Sequence, residues 1–256
     1  MDKSHLNPTT RFSSRAENYL KYRPHYPDEI INFLKKVKVL KASSLIADIG
    51  SGTGFSSELF LKNGNTVFGV EPNKEMREAG EKHLSGYKNF ISVNGTAEKT
   101  TLNSGSIDII AAGQAFHWFN FSEARDEFRR IAKPEGYLVL IWNVRRFIDA
   151  GFGTDYEKML TEFGTDYKEV EHKTITTRDY DNFYPGKYKT ANFSNKQLLD
   201  FEGLKGRLLS SSYSPDDSSP KYKPMLKRLK EIFDKHQANG KVKMSYNTEV
   251  YYGKIL

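Results

Sequence analysis

The sequence predicts an α/β fold: a three-layer sandwich whose helices cover a mostly parallel, seven-stranded sheet with an antiparallel final strand. Three observations predict it. Between Ser44 and Asn143, five short apolar runs are interspersed with segments of helical periodicity, the pattern of a parallel sheet clothed by helices. A glycine-rich turn, "DIGSGTG", joins the first run to a helix. The last stretch, "VKMSYNTEVYYGKIL", is dense in β-branched and aromatic residues and reads as a closing strand.

The elements follow in order. "SSRAENYLKY" has capping residues and helical apolar spacing, and "YPDEIINFLKKV" starts after a proline with acids in its first turn. "SLIADIG" is a short buried strand. "GFSSELFLKNG" is a helix with Gly64 as its C-cap. "NTVFGVE" is the second strand and "NKEMREAGEKHL" the next helix. "NFISVNG" and "SIDIIAAG" are the third and fourth strands. "FSEARDEFRRIAKPEG" is a helix stopped by Pro134 and Gly136, and "GYLVLIWN" is the fifth strand. Right-handed crossovers bring the carboxyl ends of such strands to one edge of the sheet. After Asn143 the alternation stops, and an insertion follows that carries aromatic residues, Phe147 to Tyr188, over that edge. "KYKTANFSNKQLL" returns to the sheet, and "EGLKGRLLSSS" is helical. "SSSYSPDDSSP", Ser210 to Pro220, is the nearest thing to a linker. "KYKPMLKRLKEIFDKHQ" is an amphipathic helix with Met225, Leu226, Leu229, Ile232 and Phe233 inward.

Composition narrows the chemistry. With no cysteine, disulfides, thiolate zinc sites and cysteine nucleophiles are excluded. No apolar run approaches membrane-spanning length, and the first residues lack the apolar core of a signal peptide, so a cytoplasmic location is expected. The net charge is +7, and from Lys221 to Leu256 there are nine Lys/Arg against three acids. That excess reads as a solvated helix face in preference to a nucleic-acid surface.

The turn after the first strand has the spacing Asp48-x-Gly50-x-Gly52-x-Gly54. Glycines there allow positive φ and close approach of a ligand to the backbone. A dinucleotide fingerprint needs Gly-x-Gly-x-x-Gly. Counted from Gly50, the third glycine position holds Phe55; counted from Gly52, it holds Ser57. No Gly-Lys-Ser/Thr follows, so the P-loop is absent too. A carboxylate at the strand end suits instead a ligand carrying an ammonium group.

"DIGSGTG" resembles the first motif of the class I SAM-dependent methyltransferases, a Rossmann-like family. That resemblance implies S-adenosylmethionine (SAM) as cofactor, held by Asp48, Gly50, Ser51, Gly52, Thr53 and Gly54. It implies Glu71, beside Pro72 at the end of the second strand, as acceptor of both ribose hydroxyls. It assigns the adenine to Thr96, Ala97 and Glu98 of "NGTAEKTTL", and places Gln114 and Ala115 of "GQAFHWF" under the methionine and the reactive methyl. The N-terminal "RFSSRAENYLKYRPHYP" is similar to that of a small-molecule subgroup, the trans-aconitate methyltransferase-like proteins. By this likeness the segment folds over the cofactor, Arg23 pairs with the SAM carboxylate and Tyr19 closes the pocket. The chain then reads as one domain, residues 1–256: a helical cap over 1–42, a cofactor-binding core over 43–143, and a lid insertion with closing strands over 144–256.

The acceptor pocket is expected from Phe12, Phe116, His117 and Trp118, with His117 as either the general base or a pocket wall. Arg145, Arg146 and Arg178 could hold an acceptor carboxylate or be surface charges. No metal is expected at the site. "GQAFHW" stands where nucleobase N-methyltransferases carry a Pro-Pro-Tyr-like motif. The resulting reading is methyl transfer to a small molecule, at a carboxylate or hydroxyl oxygen. An RNA- or protein-directed methyltransferase and a non-catalytic SAM-binding protein stand as alternatives.

Overall fold

A computed structural model describes residues 15–146, 151–167, 175–184 and 186–255. Seven strands form one sheet in the order β3-β2-β1-β4-β5-β7-β6: β1 (Leu45–Ile49), β2 (Thr66–Val70), β3 (Phe90–Val93), β4 (Ile107–Gly113), β5 (Ala132–Arg145), β6 (Lys189–Leu199) and β7 (Val242–Lys254). The first five run parallel. The closing strand β7 slots between β5 and β6, antiparallel to both, as the sequence led us to expect. The chain leaves β1 toward β2 on one side and returns to β4 on the other. That reversal opens a crevice at the carboxyl ends of β1 and β4, the usual ligand position in such sheets.

The inner strands β1 and β4 read as continuous apolar runs because helices cover both of their faces. On one face, α2 (Glu29–Lys36) and α3 (Phe55–Leu61) bury Ile30, Leu34, Leu59 and Phe60 against Ile46, Ile109 and Val139. On the other, α5 (Phe121–Ile131) and α7 (Thr177–Phe183) bury Phe128 and Phe183 against Ile110, Leu140 and Trp142. Between these lie α4 (Lys74–His83), which follows β2, and α6 (Phe152–Phe163), within the insertion. A further core joins α6, α8 (Phe201–Leu209), α9 (Tyr222–His236) and the start of β7 through Leu160, Leu204, Leu229, Ile232 and Met244. Helix α1 (Ala16–Tyr22) lies across α8, where Gly206 lets Tyr22 in: a Cβ there would fall 2.1 Å from the Tyr22 ring.

Three expectations change. Helix α5 ends at Ile131, before Pro134: Lys133, the residue ahead of that proline, favours extended backbone, and the chain is already extended from Ala132, where β5 begins. The stretch Ser210–Pro220 is no linker. Ser210, Ser211 and Ser214 are buried, and the carbonyls of Leu209, Ser211 and Ser214 accept hydrogen bonds from the Arg15 guanidinium. Of the described aromatics of the insertion, Tyr156, Tyr167, Tyr180, Phe183 and Tyr184 are buried core residues, and Tyr180 stacks on Tyr251 at 4.5 Å. Among the described residues no helix is long and apolar enough to cross a membrane.

Candidate active site

The crevice is built outward from the β1–α3 turn. Gly50, Gly52 and Gly54 all have positive φ (68°, 55° and 91°), so the turn needs glycine at each. At Gly50 the restriction is doubled: a Cβ would lie 2.6 Å from that of Ala115, on the loop after β4. The two loops therefore touch and form one floor.

Asp48 sits beneath the turn, fully buried. Its Oδ2 accepts from the Ser56 and Ser57 hydroxyls at 2.7 and 2.6 Å, while its Oδ1 has no hydrogen-bond partner among the described residues. Burial pushes its pKa up to about 6, the serine bonds opposing. The Thr53 hydroxyl, also buried, is likewise without a partner. Two such atoms at one turn are groups that a polar ligand could satisfy.

Glu71 follows β2 and is held rigidly. Its Oε2 accepts from the Gly52 N–H and its Oε1 from the Asn73 N–H, each at 2.9 Å. Burial raises its pKa. Each oxygen keeps a second lone pair, enough for a vicinal diol. Asn73 caps α4 by accepting from the Met76 N–H, and the Arg77 guanidinium donates to the carbonyls of Glu71 and Pro72.

The main cleft runs from Tyr19 over Gly50 and Gly52 to Glu71 and Pro72, then to Thr96, Ala97 and Glu98, and closes on Gln114, Ala115, Trp118 and Phe119. Glu98 ties two of its walls together by accepting from the Asn120 N–H at 2.8 Å. Gln114 has φ 58°, a left-handed conformation that a non-glycine residue adopts only under local constraint. The constraint is visible: its backbone N–H donates to Ile141 O and its side chain to Asn143 O. A smaller pocket extends from the glycine turn to Arg23, Tyr26, Ser56 and Asn143.

Arg23 is no surface ion pair. Its guanidinium donates to the Ser210 hydroxyl and carbonyl, each at 3.0 Å, and lies 4.7 Å over the Tyr19 ring. No carboxylate among the described residues is within ion-pair reach of it. Burial and nearby Arg207 lower its pKa to about 10.

Not every predicted pocket residue faces the cleft. Phe116 is fully buried in the core, stacked on Phe121 at 4.9 Å and edge-on to Phe183 at 4.7 Å. The reason is geometric: Phe116–Trp118 form a 3-10 turn, which points Phe116 inward and Trp118 outward. His117 packs against Trp118 and Trp142, at 4.5 and 5.5 Å between ring centres, and is absent from the cleft wall. Phe119 takes a place in that wall. Phe12 lies outside the described residues. Arg146 and Arg178 are exposed, whereas Arg145 is enclosed by tyrosines. The sequence reading also missed Asn73, Met76, Tyr26 and Asn143. The first two were accessible as the N-cap and first turn of "NKEM"; the other two enter only through tertiary packing. Among the described residues, no group of three or more His, Asp or Glu is placed to hold a metal.

The donors and acceptors fit SAM: the Asp48 carboxylate and Arg23 match an amino-acid end, Glu71 a ribose diol, and the Thr96–Glu98 turn a flat ring. Residues 47–140 match the family described as a methyltransferase domain. An uncharacterized methyltransferase of Schizosaccharomyces pombe is 32% identical over 135 residues, 52% of this chain and 53% of the relative. A methyltransferase-like protein of the same yeast is 25% identical over 94% of this chain and 93% of its own. The chain thus spans about half the length of several curated relatives it matches, and nearly all of the second yeast protein. A putative type II methyltransferase from Anaeromyxobacter dehalogenans has the same fold, with a TM-score of 0.67 at 18% identity over 92% of this chain and 99% of its own. A putative methyltransferase of an antibiotic biosynthesis pathway in Anabaena variabilis superposes with a TM-score of 0.62 at 20% identity, over 91% of this chain and 98% of its own.

Proposed function

We propose that this chain is a class I SAM-dependent methyltransferase, a reading supported by the methyltransferase-domain match over residues 47–140, and that it transfers the methyl group to a small-molecule acceptor at a carboxylate or hydroxyl oxygen. SAM, when bound, supplies an activated methyl on a sulfonium, and the chain supplies position and a dry surface. Asp48 would hold the ammonium group, Arg23 the carboxylate, and Glu71 the ribose hydroxyls. Ala115, Trp118 and Phe119 line the cleft and would shield the sulfonium end from water. Gln114, locked to β5 by two hydrogen bonds, fixes the floor on which that end rests.

The observation that carries this reading is a cleft lined by a diol-competent Glu71 and by Trp118 and Phe119, over a glycine turn beneath which Asp48 keeps one oxygen without a hydrogen-bond partner among the described residues. His117 then serves as a packing partner of Trp118 and Trp142. A carboxylate acceptor, already nucleophilic, needs no base, so the displacement of His117 from the wall favours that acceptor over a neutral hydroxyl. A small acceptor is favoured over RNA by the state of the basic helix α9. Its Arg228, Lys230 and Lys235 are paired with Glu231, Asp234 and Asp155. Titration calorimetry with SAM and S-adenosylhomocysteine is the test of the cofactor, followed by methyl transfer to a panel of small acids and alcohols. Failure to bind either nucleoside would sink the proposal, and salt-sensitive RNA binding with no small-molecule turnover would move the acceptor to RNA.

A further inference from the structure

Arg23, Pro24 and Tyr26, from the segment between α1 and α2, line the smaller pocket together with Gly50 to Thr53 of the glycine turn. This segment has no regular secondary structure, and Pro24 and Pro27 carry no N–H, so its course is set by what its carbonyls meet. They meet side-chain amides from the far half of the sheet. The Gln197 NH2 group donates to Tyr22 O at 2.9 Å and that of Asn195 to His25 O at 2.8 Å. The Asn143 NH2 group reaches both Pro24 O and His25 O, at 3.4 Å each.

Two of these amides are themselves oriented. The Thr248 hydroxyl at 2.6 Å and the Asn195 NH2 group at 3.1 Å donate to Asn143 Oδ1, which turns the Asn143 NH2 group toward the segment. The Tyr246 hydroxyl donates to Gln197 Oε1 at 2.7 Å, with the same effect. An amide whose oxygen is claimed by fixed donors presents its nitrogen in one direction. Strand register explains the place. Asn143 stands opposite Thr248 across β5 and β7, and Asn195 opposite Tyr246 across β6 and β7. Two residues away on the same face, Ile141, Val250 and Phe193 belong to the core under α2. The face thus turns from apolar to polar where the segment crosses it. Asn143 also reaches the loop beneath: it lines the smaller pocket, and its own carbonyl accepts from the Gln114 side chain at 3.3 Å. Tyr26 completes the wall, its hydroxyl filling space at the end of β4 where a Cβ on Gly113 would fall 2.5 Å away.

We propose that Asn143, Asn195 and Gln197 are positioning residues for cofactor recognition: they fix the backbone from Tyr22 to His25 so that Arg23 stands against the amino-acid end of SAM. This assignment rests on the methyltransferase reading above. It gives the antiparallel half of the sheet a share in cofactor binding, although no residue of β6 or β7 lines either pocket. The Ser210 contacts hold the guanidinium from one side, while the three amides hold the backbone that carries it. Because they act through Arg23, their effect is confined to the amino-acid end and does not extend to the ribose or the adenine.

The test compares two nucleosides on the full chain by calorimetry: S-adenosylhomocysteine, which has the amino-acid end, and methylthioadenosine, which lacks it. Asn195→Ala and Gln197→Leu should each weaken S-adenosylhomocysteine binding roughly fivefold. Asn143→Asp, which sets a carboxylate oxygen against two carbonyls, should weaken it roughly tenfold or more, while methylthioadenosine affinity stays within about twofold in all three. In an Arg23→Gln background Asn195→Ala should add less than about twofold, since the arginine through which it acts is gone. Where Asn143→Asp does not unfold cooperatively, the half-buried Asn195 and Gln197 carry the comparison. Equal losses for the two nucleosides, as a merely structural role would give, overturn the proposal, as do unchanged S-adenosylhomocysteine binding and full additivity with Arg23→Gln. Binding of neither nucleoside by the unsubstituted chain would instead refute the methyltransferase reading. Hydrogen exchange of the Arg23, His25 and Tyr26 amides, measured without nucleoside, separates the two: it should quicken in Asn195→Ala, and unchanged exchange would refute the clamp itself.

Discussion

Asp48→Asn should make the cofactor-free protein more stable and a worse binder of SAM. The folded protein holds this carboxyl at a pKa of about 6 against an ordinary 3.8, because its burial opposes ionisation. That difference corresponds to about 3 kcal/mol of destabilisation once the group is ionised in both states. The penalty is full above pH 6, shrinks as pH falls from 6 toward 3.8, and is gone below that. An amide carries no charge, so its carbonyl can keep the Ser56 and Ser57 hydroxyl bonds while its NH2 group occupies the orphaned Oδ1 position. That NH2 group lacks an acceptor, which offsets part of the gain, so a net stabilisation of about 1–2 kcal/mol is expected at pH 7. Urea unfolding of both proteins at pH 7, 5 and 3.5 measures the gap, which should close at the lowest pH. SAM affinity should fall at least tenfold at pH 7, and affinity for the unsubstituted protein should weaken as pH drops through 6. A variant less stable than the parent at pH 7, or a gap that ignores pH, would refute the reasoning.

Glu71→Gln sets an amide NH2 against one of two backbone N–H donors, at Gly52 or Asn73, and should weaken SAM binding by about 2 kcal/mol, roughly thirtyfold, read by calorimetry. Gly206→Ala puts a methyl 2.1 Å from the Tyr22 ring, so the melting temperature should drop by an amount equivalent to about 1–3 kcal/mol, and SAM affinity should fall with it because α1 carries Tyr19 and leads into Arg23. Phe183→Ala removes a fully buried ring on which Phe116, Phe121 and Phe128 pack. It should cost about 3–5 kcal/mol in chemical unfolding while leaving the SAM dissociation constant of the folded protein within about twofold. His117→Ala should retain most of the methyl-transfer rate in a turnover assay once an acceptor is found, since its ring packs on Trp118 and Trp142 away from the cleft wall.

The strands and helices of the first 143 residues were legible because each announces itself locally. A short run such as "SLIAD" followed by glycines reads as a strand entering a turn, and glycine at 50, 52 and 54 permits the positive φ that each adopts. Asp48 and Glu71 were legible for the same reason, since the ends of parallel strands share one edge. The four residues of "FHWF" were harder to sort. Sequence places them in one loop, but a 3-10 turn divides them, sending Phe116 into the core and Trp118 with Phe119 into the cleft.

Local pattern was enough for whatever depends on neighbours within a few positions: the parallel order of elements, the glycine turn, the acids at the strand ends and the unsuitability of that turn for a dinucleotide. The rest followed from the packing of distant segments. Ser210 and Arg23 are 187 residues apart, Arg145 and Tyr213 are 68 apart, and both contacts depend on where α8, which follows β6, and the loop after it pack. Burial decides whether an arginine is a solvated charge or part of a ligand site. Burial is set by the packing of distant elements, to which a local pattern of residues is blind.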